Sequence, residues 1–136
     1  MKAAYLTGNA IDLLQNGSEF FPALIAAIDA AEREFHLETY IFEDDATGRA
    51  VAGALCRAAR RGVAVRVLAD GFGAADFVAT LRPQLEAAGV QVLVYRPEIA
   101  RFHMRRHRLR RLHRKLAVAD GRSAFVGGIN IVDDID

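Results

Sequence analysis

The stretch RRGVAVRVLADGFG, residues 60–73, decides the fold. Two arginines followed by Gly62 are typical of the last turn of a helix and the position just beyond it. The residues after Gly62 form a run of small and β-branched apolar side chains, which indicates a strand buried on both faces. Asp70 and Gly71 close this run with turn-forming residues. The stretch therefore predicts a helix end, a buried strand and a loop at the carboxyl end of that strand.

The same alternation of helical and strand patterns extends along most of the chain. Helices are predicted over 18–31, 47–61 and 76–88, and strands over 11–14, 35–42, 63–69, 90–95, 115–119 and 123–126. Asp120 and Gly121 predict a tight hairpin turn between the last two strands. The β-α-β order predicts an α/β fold with a mostly parallel, mixed sheet flanked by helices on both faces. Functional groups in such sheets collect at the carboxyl ends of the strands.

Composition indicates one globular domain over residues 1–136, with 52% apolar and 8% aromatic residues. Cys56 is the single cysteine, so no internal disulfide can form, and its apolar surroundings predict a buried, inert thiol in a reducing compartment. No apolar run approaches the roughly 20 residues that cross a bilayer. We therefore expect any membrane contact to be peripheral.

Charge is distributed unevenly behind a net value of +1. Residues 1–100 contain nine Lys or Arg against thirteen Asp or Glu, whereas residues 101–115 contain seven Arg, Lys115 and no acid. This basic segment predicts an anionic partner. The arginines expected to contact anionic headgroups are Arg105, Arg106, Arg108, Arg110 and Arg111.

The basic segment admits several interpretations. It could be a solvated charge run in a mobile loop, or it could bind a nucleic-acid backbone. Its apolar residues Phe102, Met104, Leu109 and Leu112 alternate with the arginines, which favours anionic phospholipids at a membrane surface over nucleic acid. His103 and His107 are four residues apart, but the neighbouring arginines repel a cation and no Cys or acid completes a ligand set. We expect no metal and no other cofactor.

A constellation suited to phosphodiester chemistry lies near the end of the chain. His113 and Lys115 are two residues apart and share one face of a strand. Lys115 can neutralise the oxygens that shield a phosphorus atom, and His113 can attack that phosphorus to form a covalent intermediate. Asn130 adds an amide donor, and the glycines before it, including Gly128, let the backbone approach a phosphate closely.

These residues match H-x-K-x4-D-x6-G-[GS]-x-N at every fixed position, and the chain thereby resembles the phospholipase D superfamily. The resemblance implies that His113 is the nucleophile or the paired acid and that Lys115 and Asn130 bind phosphate. Asp120 matches the motif aspartate and completes the catalytic set. Because Asp120 lies at a turn, we expect it to have an orienting and structural role.

Weaker similarities narrow the subfamily. The segments 9–16, ETYIF (38–42), RRGV (60–63), LADGFG (68–73) and 104–115 resemble bacterial cardiolipin synthases of the short type without N-terminal membrane spans. The resemblance implies transfer of a phosphatidyl group to phosphatidylglycerol or a related alcohol, at the cytoplasmic face of the cell membrane. Asp70 and Glu38 could support such a site, but a turn-forming role for Asp70 is at least as plausible, so neither belongs to the predicted catalytic set.

The chain departs from the family pattern in carrying one motif where members use two, supplied by two halves of a chain or by two subunits. It also ends six residues after Asn130. We therefore expect a phospholipase D-like catalytic half-domain, truncated at its C-terminus, that requires a second half-domain or subunit. Two alternatives stay open: a phosphodiesterase or nuclease of the same superfamily acting as a homodimer, and a non-catalytic fragment that binds anionic surfaces.

Overall fold

The computed structural model describes residues 4–97 and 110–133. Its helices and strands alternate along the first part of the chain and end in a hairpin. The helices are α1 (Asn16–Ala30), α2 (Ala46–Arg60), α3 (Ala75–Thr80) and α4 (Arg82–Ala87). The strands are β1 (Glu34–Thr39), β2 (Ala64–Asp70), β3 (Gln91–Tyr95), β4 (Leu116–Ala119) and β5 (Ser123–Val126).

The five strands form one sheet in the order β3-β2-β1-β4-β5. β1 pairs in parallel with β2, and β2 in parallel with β3. β4 pairs antiparallel with both β1 and β5. The expected α/β fold with a mixed sheet flanked by helices is confirmed, and the sheet divides evenly between parallel and antiparallel pairings because the last two strands form a hairpin.

The described residues differ from the expected layering in one respect. The buried strand side chains, such as Phe35, Leu37, Val65 and Val67, belong to one face of the sheet and join the helices in a single core. On the other face, His36 and its neighbours are exposed to solvent, with 40% of the His36 side chain accessible. Within residues 4–97 and 110–133 the helices therefore cover one face.

Two predicted elements are also corrected. The predicted strand at 11–14 is wrong: these residues are irregular, and Ile11 and Leu13 are 93% and 84% exposed because no neighbouring strand pairs with them. The single helix predicted over 76–88 is two short helices that meet at Leu81. Pro83 lies in the first turn of α4, where its missing N–H costs no helical hydrogen bond, so the chain starts a new helix there.

Candidate active site

The candidate site lies where the parallel strands end. β4 runs antiparallel to β1, with Leu116 opposite Glu38, so the residues that precede β4 lie beside the end of β1. Tyr40 follows β1, and Asp70 is the last residue of β2. This edge of the sheet therefore collects His113, Lys115, Tyr40 and Asp70, as expected for a sheet of this type.

His113 and Lys115 are in direct contact. The Nζ of Lys115 lies 3.2 Å from Nε2 and 3.3 Å from Nδ1 of the His113 ring, and 3.3 Å from the His113 carbonyl oxygen. An ammonium group can only donate, so the ring nitrogen that it faces must offer a lone pair. His113 is exposed and Lys115 is half-buried. Partial burial lowers the pKa of Lys115 below its usual value because the charged form is poorly solvated there.

Tyr40 packs against both of these side chains. Its ring centroid lies 5.1 Å from that of His113, at an interplanar angle of 45°, and 5.4 Å from the Nζ of Lys115. The ammonium thus stands over the face of an aromatic ring, a favourable electrostatic arrangement. Tyr40 belongs to the ETYIF segment, and its place near the carboxyl end of the strand predicted over 35–42 was the available sequence signal.

Gly128 and Asn130 reach the same edge through the hairpin. The N–H of Gly127 donates to the carbonyl of Lys115 over 3.3 Å. The Oδ1 of Asn130 accepts from the N–H of Ile41 over 3.2 Å, directly beside Tyr40. A Cβ added at Gly127 or Gly128 would meet no atom within 4 Å. The space beside these two glycines is therefore open.

Arg114, between the two motif residues, has a separate contact. Its Nε lies 2.6 Å from Oε2 of Glu38 on the neighbouring strand. Successive side chains on an extended segment point to opposite sides, so this pair lies away from His113 and Lys115. This ion pair links the segment before β4 to β1.

Asp120 lies at the opposite end of β4, about 16 Å along the strand from Lys115 at about 3.3 Å per residue. Its carboxylate accepts three backbone N–H groups: Glu32 at 2.9 Å, Arg33 at 2.8 Å and Glu34 at 2.9 Å. These hydrogen bonds lower the pKa of Asp120 to about 2. The structure thus separates Asp120 from the other motif residues of the predicted catalytic set and binds it to the start of β1.

The sequence reading left Asp70 outside the predicted catalytic set, although the structure gives it a contact next to His113. Asp70 is fully buried. Its Oδ2 accepts from the N–H of Leu112 over 2.9 Å. A carboxylate at the end of a buried strand was a visible signal, but its partner lies 42 residues further along the chain.

Most of the basic segment, including Arg105, Arg106 and Arg108, lies outside the described residues. Arg110 is exposed. The guanidinium of Arg111 lies 5.2 Å from the Phe72 ring centroid and 4.0 Å from the Asp70 carboxylate. Across residues 4–97 and 110–133, no group of three or more His, Cys, Asp or Glu could hold a metal ion. In the same residues, no helix combines the length and apolar content that a bilayer crossing requires.

Comparison with known families identifies this arrangement. Residues 24–134 match the family described as "Cardiolipin synthase, PLD-like domain". The chain belongs to this family. The match includes all five strands and every residue of the predicted motif from His113 to Asn130.

Individual relatives within this family agree. The chain is 43% identical over 130 residues to cardiolipin synthase B of Escherichia coli strain K12, covering 96% of this chain and 32% of that protein. It is 34% identical over 134 residues to the probable cardiolipin synthase YwiE of Bacillus subtilis strain 168, covering 96% of this chain and 27% of that protein. The chain thus spans 32% and 27% of the length of these two curated relatives.

Solved structures show the fold. Nuc of Salmonella typhimurium, a phospholipase D family member, superposes with a TM-score of 0.65 at 19% identity, covering 85% of this chain and 67% of Nuc. NucT of Helicobacter pylori superposes with a TM-score of 0.66 at 21% identity, covering 84% of this chain and 68% of NucT. The mixed sheet with its helices is therefore the fold of phospholipase D family members.

Proposed function

We propose that this chain supplies one half of the active site of a cardiolipin synthase, which transfers a phosphatidyl group to phosphatidylglycerol or a related alcohol. The observation that carries the proposal is the contact between His113 and Lys115. The Nε2 of His113 and the Nζ of Lys115 lie 3.2 Å apart. This pairing suits attack on a phosphodiester because the cation attracts the oxygens that surround the phosphorus.

In the first step, a nitrogen of His113 attacks the phosphorus of the donor phospholipid. A bond forms between nitrogen and phosphorus, and the bond from phosphorus to the leaving alcohol oxygen breaks. A histidine of the second motif gives its proton to that oxygen. The product is a phosphohistidine that carries the phosphatidyl group.

In the second step, the acceptor alcohol reverses this sequence. Its hydroxyl gives a proton to the second histidine, and its oxygen attacks the phosphorus. The bond between phosphorus and His113 breaks, which regenerates the histidine. The net reaction exchanges one alcohol for another on the phosphatidyl group and consumes no cofactor.

Lys115, Asn130 and Gly128 bind the phosphate in this scheme. The ammonium of Lys115 turns from the histidine ring to the phosphate oxygens. Because Oδ1 of Asn130 accepts from Ile41, the Nδ2 of the same amide is the group available to donate to a phosphate. The open space beside Gly128 leaves room for phosphate oxygens near the backbone.

The substrate class rests on the basic segment. Its arginines, including Arg110 and Arg111, attract anionic headgroups, and its alternating apolar residues suit a lipid interface at the cytoplasmic face of the membrane. The second motif comes from another half-domain of the full-length protein or from a second subunit. Asp120 supports the site by fixing the far end of β4.

The test is turnover by the full-length protein on vesicles of phosphatidylglycerol, with His113→Asn as the variant. Cardiolipin formation should stop, and phosphohistidine should be found by mass spectrometry in the wild type alone. His36→Asn is the matched control, since His36 lies on the exposed sheet face and pairs with Glu34. Full activity after loss of His113 would overturn the proposal.

A nuclease is the second candidate, because a basic segment also suits a nucleic-acid backbone. Incubating the same preparation with single-stranded DNA separates the two functions. Release of nucleotides that depends on His113, without cardiolipin formation, would favour the nuclease. A His113→Ala variant that matches the wild type in every assay would favour a non-catalytic protein that binds anionic surfaces.

A further inference from the structure

Asp70 makes more backbone contacts than a turn residue requires. Its Oδ1 accepts from the N–H groups of Phe72 at 2.9 Å and Gly73 at 3.1 Å, which closes the loop after β2. Its Oδ2 accepts from the N–H of Leu112 at 2.9 Å, on a distant segment. An aspartate that only shaped its own turn would need the first oxygen alone.

The Leu112 contact matters because of what lies next to it. Residues 110–114 precede β4 and belong to no strand, so the ladder hydrogen bonds of the sheet do not fix them. Leu112 is 6% exposed, and its backbone N–H is bound to a carboxylate that is itself fully buried. His113 is the next residue. Fixing the Leu112 amide therefore fixes the point from which the His113 side chain projects.

A second route connects the same loop to His113. Gly73, bound by Asp70, lies so close to Tyr40 that an added Cβ would be 2.5 Å from the Tyr40 carbonyl oxygen and 2.8 Å from its ring. The same ring packs against His113, at 5.1 Å between centroids. The position of the loop thus sets the position of the ring against which His113 packs.

We propose that Asp70 is a positioning residue for His113, acting on the backbone through Leu112 and on the imidazole through Gly73 and Tyr40. This inference rests on the proposed function, in which His113 is the nucleophile. Positioning of this kind matters because a displacement of about 1 Å at a reacting atom can cost about 100-fold in rate.

Asp70→Asn tests the proposal because it affects the hydrogen bonds of the two carboxylate oxygens differently. The amide oxygen can still accept from Phe72 and Gly73, since asparagine forms the same turns as aspartate. Its NH₂ group then faces the N–H of Leu112, so two donors meet and that hydrogen bond is lost. In the full-length protein, kcat should fall about 10- to 100-fold. KM should stay within about twofold, because the phosphate-binding groups are unchanged.

Asp76→Asn is the matched control, since Asp76 also accepts a backbone N–H, from Asp44 at 3.3 Å, in the same region of the chain. Its kcat should equal that of the wild type. An Asp70→Asn protein that is folded and keeps kcat within about twofold, while His113→Asn is inactive, would overturn the positioning role and leave the proposed function intact. Loss of thermal stability without loss of kcat would also overturn it.

Amide hydrogen exchange tests the hydrogen bond between Leu112 and Asp70 without a measurement of turnover. In the wild type, the Leu112 amide should exchange at least about 100-fold more slowly than an unstructured amide, because this N–H is buried and hydrogen-bonded. This protection should disappear in Asp70→Asn and persist in Asp76→Asn. If Asp70→Asn does not fold, the wild-type measurement decides: rapid exchange at Leu112 contradicts the proposal, and protection there supports it.

Discussion

The ring of Tyr40 lies 5.1 Å from the ring of His113, and the Lys115 ammonium lies 5.4 Å from the same Tyr40 centroid. One aromatic side chain therefore contacts both groups that the proposed chemistry needs. The ammonium stands over the face of the ring, and the two rings pack at an interplanar angle of 45°.

Two substitutions of Tyr40 should distinguish the contribution of its ring to activity from that of its hydroxyl. In Tyr40→Phe, which keeps the ring, cardiolipin synthesis should stay within about threefold of the wild type. In Tyr40→Leu, loss of the ring should lower kcat by about tenfold or more, since His113 loses its packing surface. Steady-state kinetics on phosphatidylglycerol vesicles measure both. Equal losses in the two variants would assign the role to the hydroxyl and contradict this account.

Lys115→Ala should lower kcat by about 100- to 1000-fold, because a preorganised donor at the reacting phosphate is removed. The pH dependence gives a sharper test. Burial lowers the pKa of Lys115, so its charge is lost at a lower pH than the ordinary 10.5. Activity should therefore decline on the alkaline side before pH 10.5. Lys115→Arg should move that decline upward in pH, whatever its effect on the maximal rate, because a guanidinium stays charged.

Asp120 should affect stability in a way that depends on pH. Its folded-state pKa of about 2 lies below the ordinary 3.8, so its contribution is complete at neutral pH and is lost as pH falls through 2. Asp120→Asn should lower Tm at pH 7, because an NH₂ group would face one of the three backbone donors. The difference from wild type should shrink between pH 4 and pH 2. Asp12→Asn, in the exposed N-terminal segment, is the control and should leave Tm unchanged.

Gly128→Ala should weaken substrate binding without unfolding the protein. A Cβ at this position meets no atom within 4 Å, so Tm should be unchanged. If the open space receives the substrate phosphate, KM should rise about tenfold or more. Gly53→Ala, in the middle of α2, should instead gain about 0.5–1 kcal/mol of stability with unchanged kinetics. Unchanged KM in Gly128→Ala would mean that the phosphate lies elsewhere.

Residues 1–136 expressed alone should form no cardiolipin, while the full-length protein should form it. The reaction needs a second histidine to protonate the leaving alcohol, and the chain carries one H-x-K-x4-D motif. Adding a separately expressed second half should restore activity if the two halves associate. Sustained turnover by the isolated chain would show that one motif, or two copies of it, is sufficient.

The sequence predicted what depends on local pattern and motif. The alternating strands and helices, the hairpin at Asp120-Gly121 and the pair His113 and Lys115 all follow from spacing within a few residues. The long-range hydrogen bonds of Asp70 and Asp120 could not be predicted in this way. Asp70 binds Leu112, 42 residues further along the chain. Asp120 binds residues 32–34, which precede it by 86–88 residues. These residues come together only because of the order of the strands in the sheet. The strand expected at 11–14 was wrong because a short apolar stretch does not by itself supply a pairing partner.

The position of Asp120 also explains why four residues separate the lysine and the aspartate of the motif. The four residues between Lys115 and Asp120 are Leu116–Ala119, the whole of β4. Lys115 precedes one end of this strand, and Asp120 at the other end accepts from three backbone amides at the start of β1. An inserted or deleted residue would change this length by about 3.3 Å and would turn Lys115 to the opposite side of the sheet. The four-residue spacing of the motif thus sets the distance between Lys115 and Asp120, which is bound to the start of β1. This part of the chain should therefore tolerate substitutions far better than changes in length.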